Sequence, residues 1–324
     1  MRAIVIREPG DTDVLELREV PLPEPASGHV RVKVVAFGIN RADILQRRGM
    51  YPAPPGSPGD IPGLEFAGEV DALGADVTGV EVGDRVMGIV GGGSYAEYLV
   101  THASHVVPMP EELQFEEAAA IPEAFITAHD ALERLDVASE EWVLVHAVGS
   151  GVGTAALQLI GARSARCIGT SRTPKKLVWA EELGMFAGIN TVSEEFAPRV
   201  RQITGAGVSA AVDLIGGPLF PATIDAMAQR GRVIIVGITA GRRAEVDLRV
   251  IMGKRLRIEG TVLRARSTEE KAEVTRSFRE QVLPLFEFGT VRPVVDRVFE
   301  FDEVPAAHKH MESNVSFGKT VVRV

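Results

Sequence analysis

The chain has 324 residues, a net charge of −9, 45% hydrophobic and 24% charged residues, a composition that suits an ordinary soluble globular protein with room for two domains. The acidic balance argues against nucleic acid or an anionic membrane surface as a bulk partner. The one cysteine, Cys167, lies in an apolar run, which excludes an internal disulfide framework and a multi-cysteine zinc site.

From Arg2 to about Ala120 the texture is β-rich. Short runs such as AIVI, VLELREV, HVRVKVVAFG, EFAGEVDALG, DRVMGIV and YAEYLV are separated by Gly, Pro and Asp, which predicts a small barrel or sandwich. The chain starts on the strand-like RAIVI with no charged-then-apolar leader, so a cytoplasmic location is the default expectation. Between Gly38 and Glu65 a short helix, Arg41 to Arg48, precedes a proline-rich loop long enough to suggest function. Asn40 and Asp43 have the spacing of an N-cap and an acidic N3 residue, a pattern that serves a plain cap or a site equally well. Tyr51 either packs the loop down or offers a phenol to a reactive carbonyl. Glu65 is a carboxylate inside an apolar strand and needs a partner.

After Pro122 a helix, PEAFITAHDALERLD, leads into Trp142 to Lys176. There an apolar strand, the glycines Gly149, Gly151 and Gly153, the helix TAALQLIGAR and a second strand ARCIGT follow in order. That is a βαβ unit of the kind that seats a dinucleotide pyrophosphate on a helix N-terminus, with Ser150, Gly151, Val152 and Gly153 as candidate contacts. The spacing is G-x-G-x-G and not the usual G-x-G-x-x-G. The same glycines rule out a membrane span across Trp142 to Ile160. No acid follows the second strand to hold a ribose hydroxyl. Ser171, Arg172, Lys175 and Lys176 stand there instead, and they suit a 2′-phosphate, favouring NADPH over NADH. A purely solvated basic helix start would be disfavoured by the helix dipole.

Strands and helices then alternate to RLRIEGTVL, predicting a doubly wound parallel sheet. The final segments are one amphipathic helix from Ser267 to Gly289, a strand, the helix FDEVPAAHKHMES and a terminal strand KTVVRV. They break the alternation and are expected to return to the first domain. The boundaries are 1–121 and 266–324 for a split first domain and 122–265 for the dinucleotide domain. None of the seven histidines has metal spacing with the cysteine, so no metal site is expected. His308 and His310, two apart, fall on different helix faces and read as solvated. The arginine run from Arg242 to Arg266 reads as a solvated face rather than a nucleic-acid site.

NRADILQRRGMYPAPPG, IPGLEFAGEV, AAAIPEAFITA, VLVHAVGSGVGTAALQL and the terminal GKTVV together resemble the zinc-free quinone oxidoreductases of the medium-chain dehydrogenase/reductase superfamily, closest to the p53-inducible quinone oxidoreductase group. The resemblance implies an α/β protein with a GroES-like β-barrel domain and a Rossmann domain, an active site between them, and NADPH-dependent, metal-free hydride transfer to a quinone or enone. Zinc relatives carry cysteine where Asn40 stands and histidine where Leu64 stands. By motif position, Asn40 and Thr127 should lie near the nicotinamide, Gly237 should let its ring approach the backbone, and Tyr51 and Asp43 should line the quinone pocket. Thr191 replaces the tyrosine that usually reaches the 2′-phosphate, leaving that task to Ser171, Arg172 and Lys176. The family also implies a homodimer through the edge strand around Arg255 to Leu263. Two other readings stand beside this one: a 2-enoyl thioester reductase with Tyr51 as proton donor, and a crystallin-like NADPH-binding protein without turnover.

Overall fold

Alternating burial along His29–Ile39 makes this eleven-residue strand the spine of the first half of the molecule. In the computed structural model, which describes residues 1–324, the chain forms two units: Met1–Ile126 with Leu263–Val324, and Thr127–Val262. Pro122–Ile126 and the stretch from Leu263 to Ala265 therefore belong to the first unit, a few residues beyond the expected boundaries. Near the start of the helix over Pro122–Arg134, Phe125 packs edge-on against Phe286 of the first unit with ring centres 4.8 Å apart, which draws the boundary into the helix.

In the first unit β1 (Arg2–Ile6) and β2 (Leu15–Glu19) form an antiparallel ribbon. The main sheet is built on β3 (His29–Ile39), followed by the short helix α1 (Arg41–Arg47), β4 (Glu65–Leu73), β5 (Arg85–Ile89), β6 (Tyr98–His102) and β7 (Val106–Pro108). The front of β3 pairs antiparallel with β4 and β6. Two register shifts in the β3–β4 ladder bend the sheet, as bulges do. Val30, Val32, Phe37, Phe66, Val70, Val86, Tyr95 and Leu99 form the core beneath it. Helices α2 (Phe115–Ala118) and α3 (Pro122–Arg134) follow.

The second unit begins with β8 (Trp142–Val145), α4 (Gly151–Ala162), β9 (Arg166–Ser171), α5 (Pro174–Glu182), β10 (Ala187–Asn190) and α6 (Phe196–Thr204). It continues with β11 (Val208–Asp213), α7 (Phe220–Ala226), β12 (Met227–Ile235), α8 (Leu248–Lys254) and β13 (Arg257–Gly260). The six strands are all parallel in the order β10-β9-β8-β11-β12-β13. Strand order reverses between β8 and β11, the position where open parallel sheets bind ligands beyond the strands' carboxyl ends. Leu144, Ile168, Ile189, Val200, Ala211, Ile224 and Val233 are its core. Met227–Gln229 follow α7 directly and open β12 beside β11, where Met227 is buried. The edge strand is shorter than the sequence run suggested, at Arg257–Gly260.

Back in the first unit, the expected single helix is two: α9 (Thr268–Gln281), capped by Ser267 accepting the Glu270 N–H, and α10 (Leu283–Glu287). Pro284 has no N–H and its ring clashes with the carbonyl a turn earlier, which forces the break. Strand β14 (Val295–Glu300), helix α11 (Val304–Glu312) and β15 (Lys319–Arg323) close the sheet, with β15 antiparallel to the rear of β3. His308 corrects the solvated reading: it is fully buried, on the α11 face shared with Val304 and Ala307. Its i+2 neighbour His310 turns the other way to Asp296, with Nε2 2.6 Å from Oδ2. Residues two apart on a helix do face different ways, and here one of those ways is inward.

No helix is long and apolar enough to cross a membrane. Gly318 sets the start of β15: its φ is +88°, and an added Cβ would lie 2.2 Å from the Val294 carbonyl oxygen. Gly318→Ala should destabilise the protein by about 2 kcal/mol from backbone strain and crowding, read as a lower midpoint in urea unfolding.

Candidate active site

Asn40 ends β3 in an extended conformation and precedes α1, but its side chain does not cap the helix. Its Nδ2 donates to Glu65 Oε1 at 2.8 Å, and its Oδ1 accepts from Lys319 Nζ at 2.7 Å. A lysine only donates and a carboxylate only accepts, so the orientation of the amide follows. Lys319 also donates to the Ile39 carbonyl at 2.9 Å and pairs with Glu65 Oε1 at 2.5 Å. The second oxygen of Glu65 accepts the Glu123 backbone N–H at 2.8 Å. The partner that Glu65 needed is thus a lysine from the last strand together with an amide from β3, and both ionic groups are buried.

Asp43, fully buried, supplies the acidic half of the helix-start pattern: its Oδ2 accepts the Asn40 N–H at 2.7 Å. Burial pushes its carboxyl up to about 6, against the pull of the Asn40 N–H, Arg264, Lys319 and the Tyr95 hydroxyl. Its Oδ1 is buried with no partner. Tyr51 lies with its ring 5.1 Å from the Arg264 guanidinium, which also donates to the Tyr51 carbonyl at 3.2 Å. Arg264 is itself fixed by Gly91 O at 2.8 Å and by Gln46 Oε1. Burial raises the Tyr51 phenol above its ordinary value, and Arg264 opposes the shift. Glu123 keeps partial exposure. Burial first, then Glu65 and Asp43, push its carboxyl up to about 8 against Lys319 and Arg264. The structure so brings Asn40, Asp43 and Tyr51 into one electrostatic cluster in the first unit.

Glu123, Lys319, Arg264 and Tyr95 were not singled out by sequence reasoning. Glu123 and Lys319 fall inside the IPEAF and GKTVV runs, but nothing local marks either as part of a site.

In the second unit the glycine turn runs from His146 to α4. Ser150 is the N-cap, its Oγ accepting the Gly153 N–H at 3.1 Å. The N–H groups of Gly151 and Val152 find no acceptor in the chain, which leaves a pair of donors at the positive end of the helix dipole. A Cβ on Gly153 would lie 2.4 Å from the Ala147 carbonyl oxygen, so only glycine lets the helix approach the strand this closely. His146, buried between Thr170 Oγ1 at 2.9 Å and Thr223 Oγ1 at 2.8 Å, locks the carboxyl end of β8. At Gly237 a Cβ would lie 2.6 Å from the Leu214 carbonyl oxygen. Thr127 is buried and its Oγ1 has no partner.

Past β9, Ser171 accepts the Thr173 N–H on its Oγ at 3.1 Å and retains its own hydrogen to donate. Arg172 is exposed, Lys176 half-buried, and Lys175 turns its ammonium over the Trp179 ring at 4.6 Å. The orphaned Thr127 hydroxyl, the two free N–H groups and the glycine approach fit a dinucleotide. The residues present do not fit zinc. No three His, Cys, Asp or Glu side chains are placed to hold a metal ion; Asn40 is an amide already engaged, Leu64 a buried alkyl group, and Cys167 a buried thiol in β9. The arginine run is not a continuous patch, since Arg264 is buried and Arg249 pairs with Asp247 at 2.9 Å.

Residues 26–111 match the family described as alcohol dehydrogenase GroES-like domain, and residues 183–322 the family described as zinc-binding dehydrogenase. The chain is 32% identical over 320 residues to a quinone oxidoreductase of Pseudomonas aeruginosa, covering 97% of this chain and 96% of that protein. It is similar in structure to mycobacterial Rv1454c complexed with NADPH, with a TM-score of 0.91, 27% identity and all of both chains covered. The CurK enoyl reductase has a TM-score of 0.88 at 25% identity, covering 99% of this chain and 98% of that one. The architecture is accordingly a GroES-like domain with a Rossmann domain, a nicotinamide-dinucleotide-binding fold.

Removing Lys319 would leave Glu65 buried without its cation. Lys319→Met should cost about 3–5 kcal/mol in urea unfolding, the usual result of orphaning one partner of a buried pair. Glu123 gives a prediction in pH. A carboxyl whose pKa is raised in the folded state stabilises below its unfolded value and loses that contribution as pH rises through the folded value, about 8. Glu123→Gln should therefore match the wild type in thermal midpoint below about pH 4.5, the ordinary carboxyl value, gain on it as the pH rises and hold its full lead above pH 8, as followed by calorimetry.

Proposed function

The chain belongs to the medium-chain dehydrogenase/reductase superfamily, with quinone oxidoreductases among its relatives, and from that footing we propose that it reduces quinones with NADPH by direct hydride transfer without a metal ion. The observation that carries this reading is the Asn40–Glu65–Lys319 cluster. Asn40, which in zinc relatives is cysteine, is an amide locked by an internal ion pair, and it offers polarity and position instead of a metal ligand.

NADPH, when bound, supplies the hydride. The chain's part is to hold, orient and desolvate. Gly151 and Val152 N–H groups receive the pyrophosphate, Ser150 preserves the helix start and Gly153 keeps the turn tight. Ser171, Arg172 and Lys176 take the 2′-phosphate. Thr127 hydrogen-bonds the nicotinamide side, Asn40 borders it, and Gly237 keeps a side chain out of its way. In the first unit Tyr51 and Asp43 line the quinone site; a quinone oxyanion takes its proton from solvent.

A second reading is favoured by one observation. Burial and a raised pKa keep the Tyr51 phenol protonated, as a donor to carbon must be, and the CurK enoyl reductase is a structural neighbour. In that reading Tyr51 protonates the carbon beside the carbonyl after hydride addition. The third reading is NADPH binding without turnover, which the presence of Asn40 and Tyr51 together with the glycine-turn residues argues against. A homodimer is proposed through β13, an edge strand with exposed Ile258.

The test is NADPH consumption against an ortho-quinone, a para-quinone and a short enoyl thioester, repeated with NADH. Quinone reduction should be fast with NADPH and at least tenfold slower with NADH, a ratio of about 1.4 kcal/mol. Tyr51→Phe should lower quinone turnover by less than about tenfold, whereas an enoyl reductase would lose about a hundredfold or more. Tight NADPH binding with no oxidation by any acceptor would establish the binding protein.

A further inference from the structure

A buried line of side chains runs through the first unit to Asp43, and its direction can be read from chemistry alone. Arg47 of α1 is fully buried. Its Nη1 is 3.2 Å from His308 Nδ1, its Nη2 2.7 Å from Glu312 Oε1, and its Nε donates to the Gly10 carbonyl at 3.2 Å. A guanidinium only donates, so His308 Nδ1 is the bare acceptor and Nε2 carries the hydrogen. His308 Nε2 is 3.0 Å from the Tyr95 phenolic oxygen, so the histidine donates there. That leaves the phenol's own hydrogen for Asp43 Oδ2, 3.1 Å away. Tyr95 is held in place by stacking on Phe37 at 4.3 Å and by the edge-on His308 ring. All four side chains are buried.

Each hydrogen bond from Arg47 through His308 and Tyr95 is donated toward Asp43. Burial and Arg47 push His308 down to about 3, so the imidazole stays neutral and the direction is the same at any working pH. Arg47 does not release a proton, so the line is not a proton wire. It acts on Asp43 by hydrogen bonding. Because Asp43 Oδ1 is buried with no partner, the carboxylate receives hydrogen bonds only from the Asn40 N–H and the Tyr95 O–H, while Arg264 and Lys319 act on it through space. Both hydrogen bonds fall on one oxygen.

We infer that His308, acting through Tyr95, is a positioning residue that biases Asp43 toward the carboxylate and so supports the start of α1 and the placement of Asn40. The other charged groups that face this line are Arg264, Lys319, Glu65 and Glu123 around Asp43 and Tyr95, and Glu312 and Asp11 around Arg47. None of them donates to Asp43. The inference rests on the reductase reading only in that Asp43 borders the reacting groups.

The experiment is carboxyl titration by NMR in full-length protein labelled with 13C at aspartate Cγ, with Asp43→Asn to assign the resonance, alongside the pH profile of kcat/KM for quinone reduction. Tyr95→Phe should raise the Asp43 midpoint by about one unit, the scale of a lost hydrogen bond to a carboxylate. The acid limb of the pH profile should move up with it. His308→Leu should shift both in the same direction. His308→Gln, which can accept from Arg47 and donate to Tyr95, should return most of the shift. An unchanged midpoint in Tyr95→Phe, or equal shifts in the Gln and Leu variants, would overturn the inference. Should His308→Leu not fold, the Tyr95→Phe and His308→Gln pair decides alone. The NMR midpoint is read without any substrate, so its expected shift in a protein that reduces no quinone would refute the function and leave this inference standing.

Discussion

The candidate site of the first unit depends on a single buried ion pair. Lys319 and Glu65 sit on β15 and β4, and between them they fasten the end of β3 through the Ile39 carbonyl and Asn40, and the first turn of α3 through the Glu123 N–H. As a source of net stability such a pair is weak, because removing both ions from water offsets most of their attraction. Its contribution is direction. A group that only donates faces one that only accepts, and the amide between them has one way to lie. Apolar packing could fill the same volume but could not orient Asn40.

The same logic of one-way donors recurs at Asp43, and the two networks meet at the β3–α1 junction. Asn40 gives its side chain to the ion pair and its backbone N–H to Asp43. The cap of a seven-residue helix, which alone would be a local matter of about 1 kcal/mol, becomes the point where the sheet, α1 and α11 are coupled. The titratable groups around it are split accordingly. Glu123 is held in the neutral form near neutrality and Asp43 is poised below it, at about 6, so the cluster contains carboxyls of different readiness to ionise.

Much of this was legible in the sequence wherever the signal was local. The period-two runs and turn residues of Arg2 to Ala120, the strand–glycine–helix grammar of Trp142 to Lys176 and the alternation after it are short-range patterns, and the fold follows them. The cap spacing of Asn40 and Asp43 was visible, and so was the need of Glu65 for a partner. The identity of that partner was not, because Lys319 lies at the other end of the chain and its only local feature is an apolar strand. His308 was misread for a related reason: the two-residue spacing to His310 separates their faces but does not say which face is buried. That is decided by Tyr95, just before β6, and by Arg47 on α1, both distant in sequence. The helix from Ser267 broke at Pro284, a rule available in the sequence that the amphipathic pattern overrode.

The first unit is assembled from two stretches separated by the whole of the second, and the residue that fixes Asn40 belongs to the later stretch. During synthesis the parallel sheet of Thr127–Val262 can therefore close on its own contacts while the earlier sheet still lacks β14 and β15. Until β15 pairs with β3, the Glu65 carboxylate has no ammonium to meet and Asn40 has no fixed orientation. A nascent chain can thus acquire a complete parallel-sheet unit well before the polar cluster of the first unit is competent, and the last strand to arrive works as the latch that arms it.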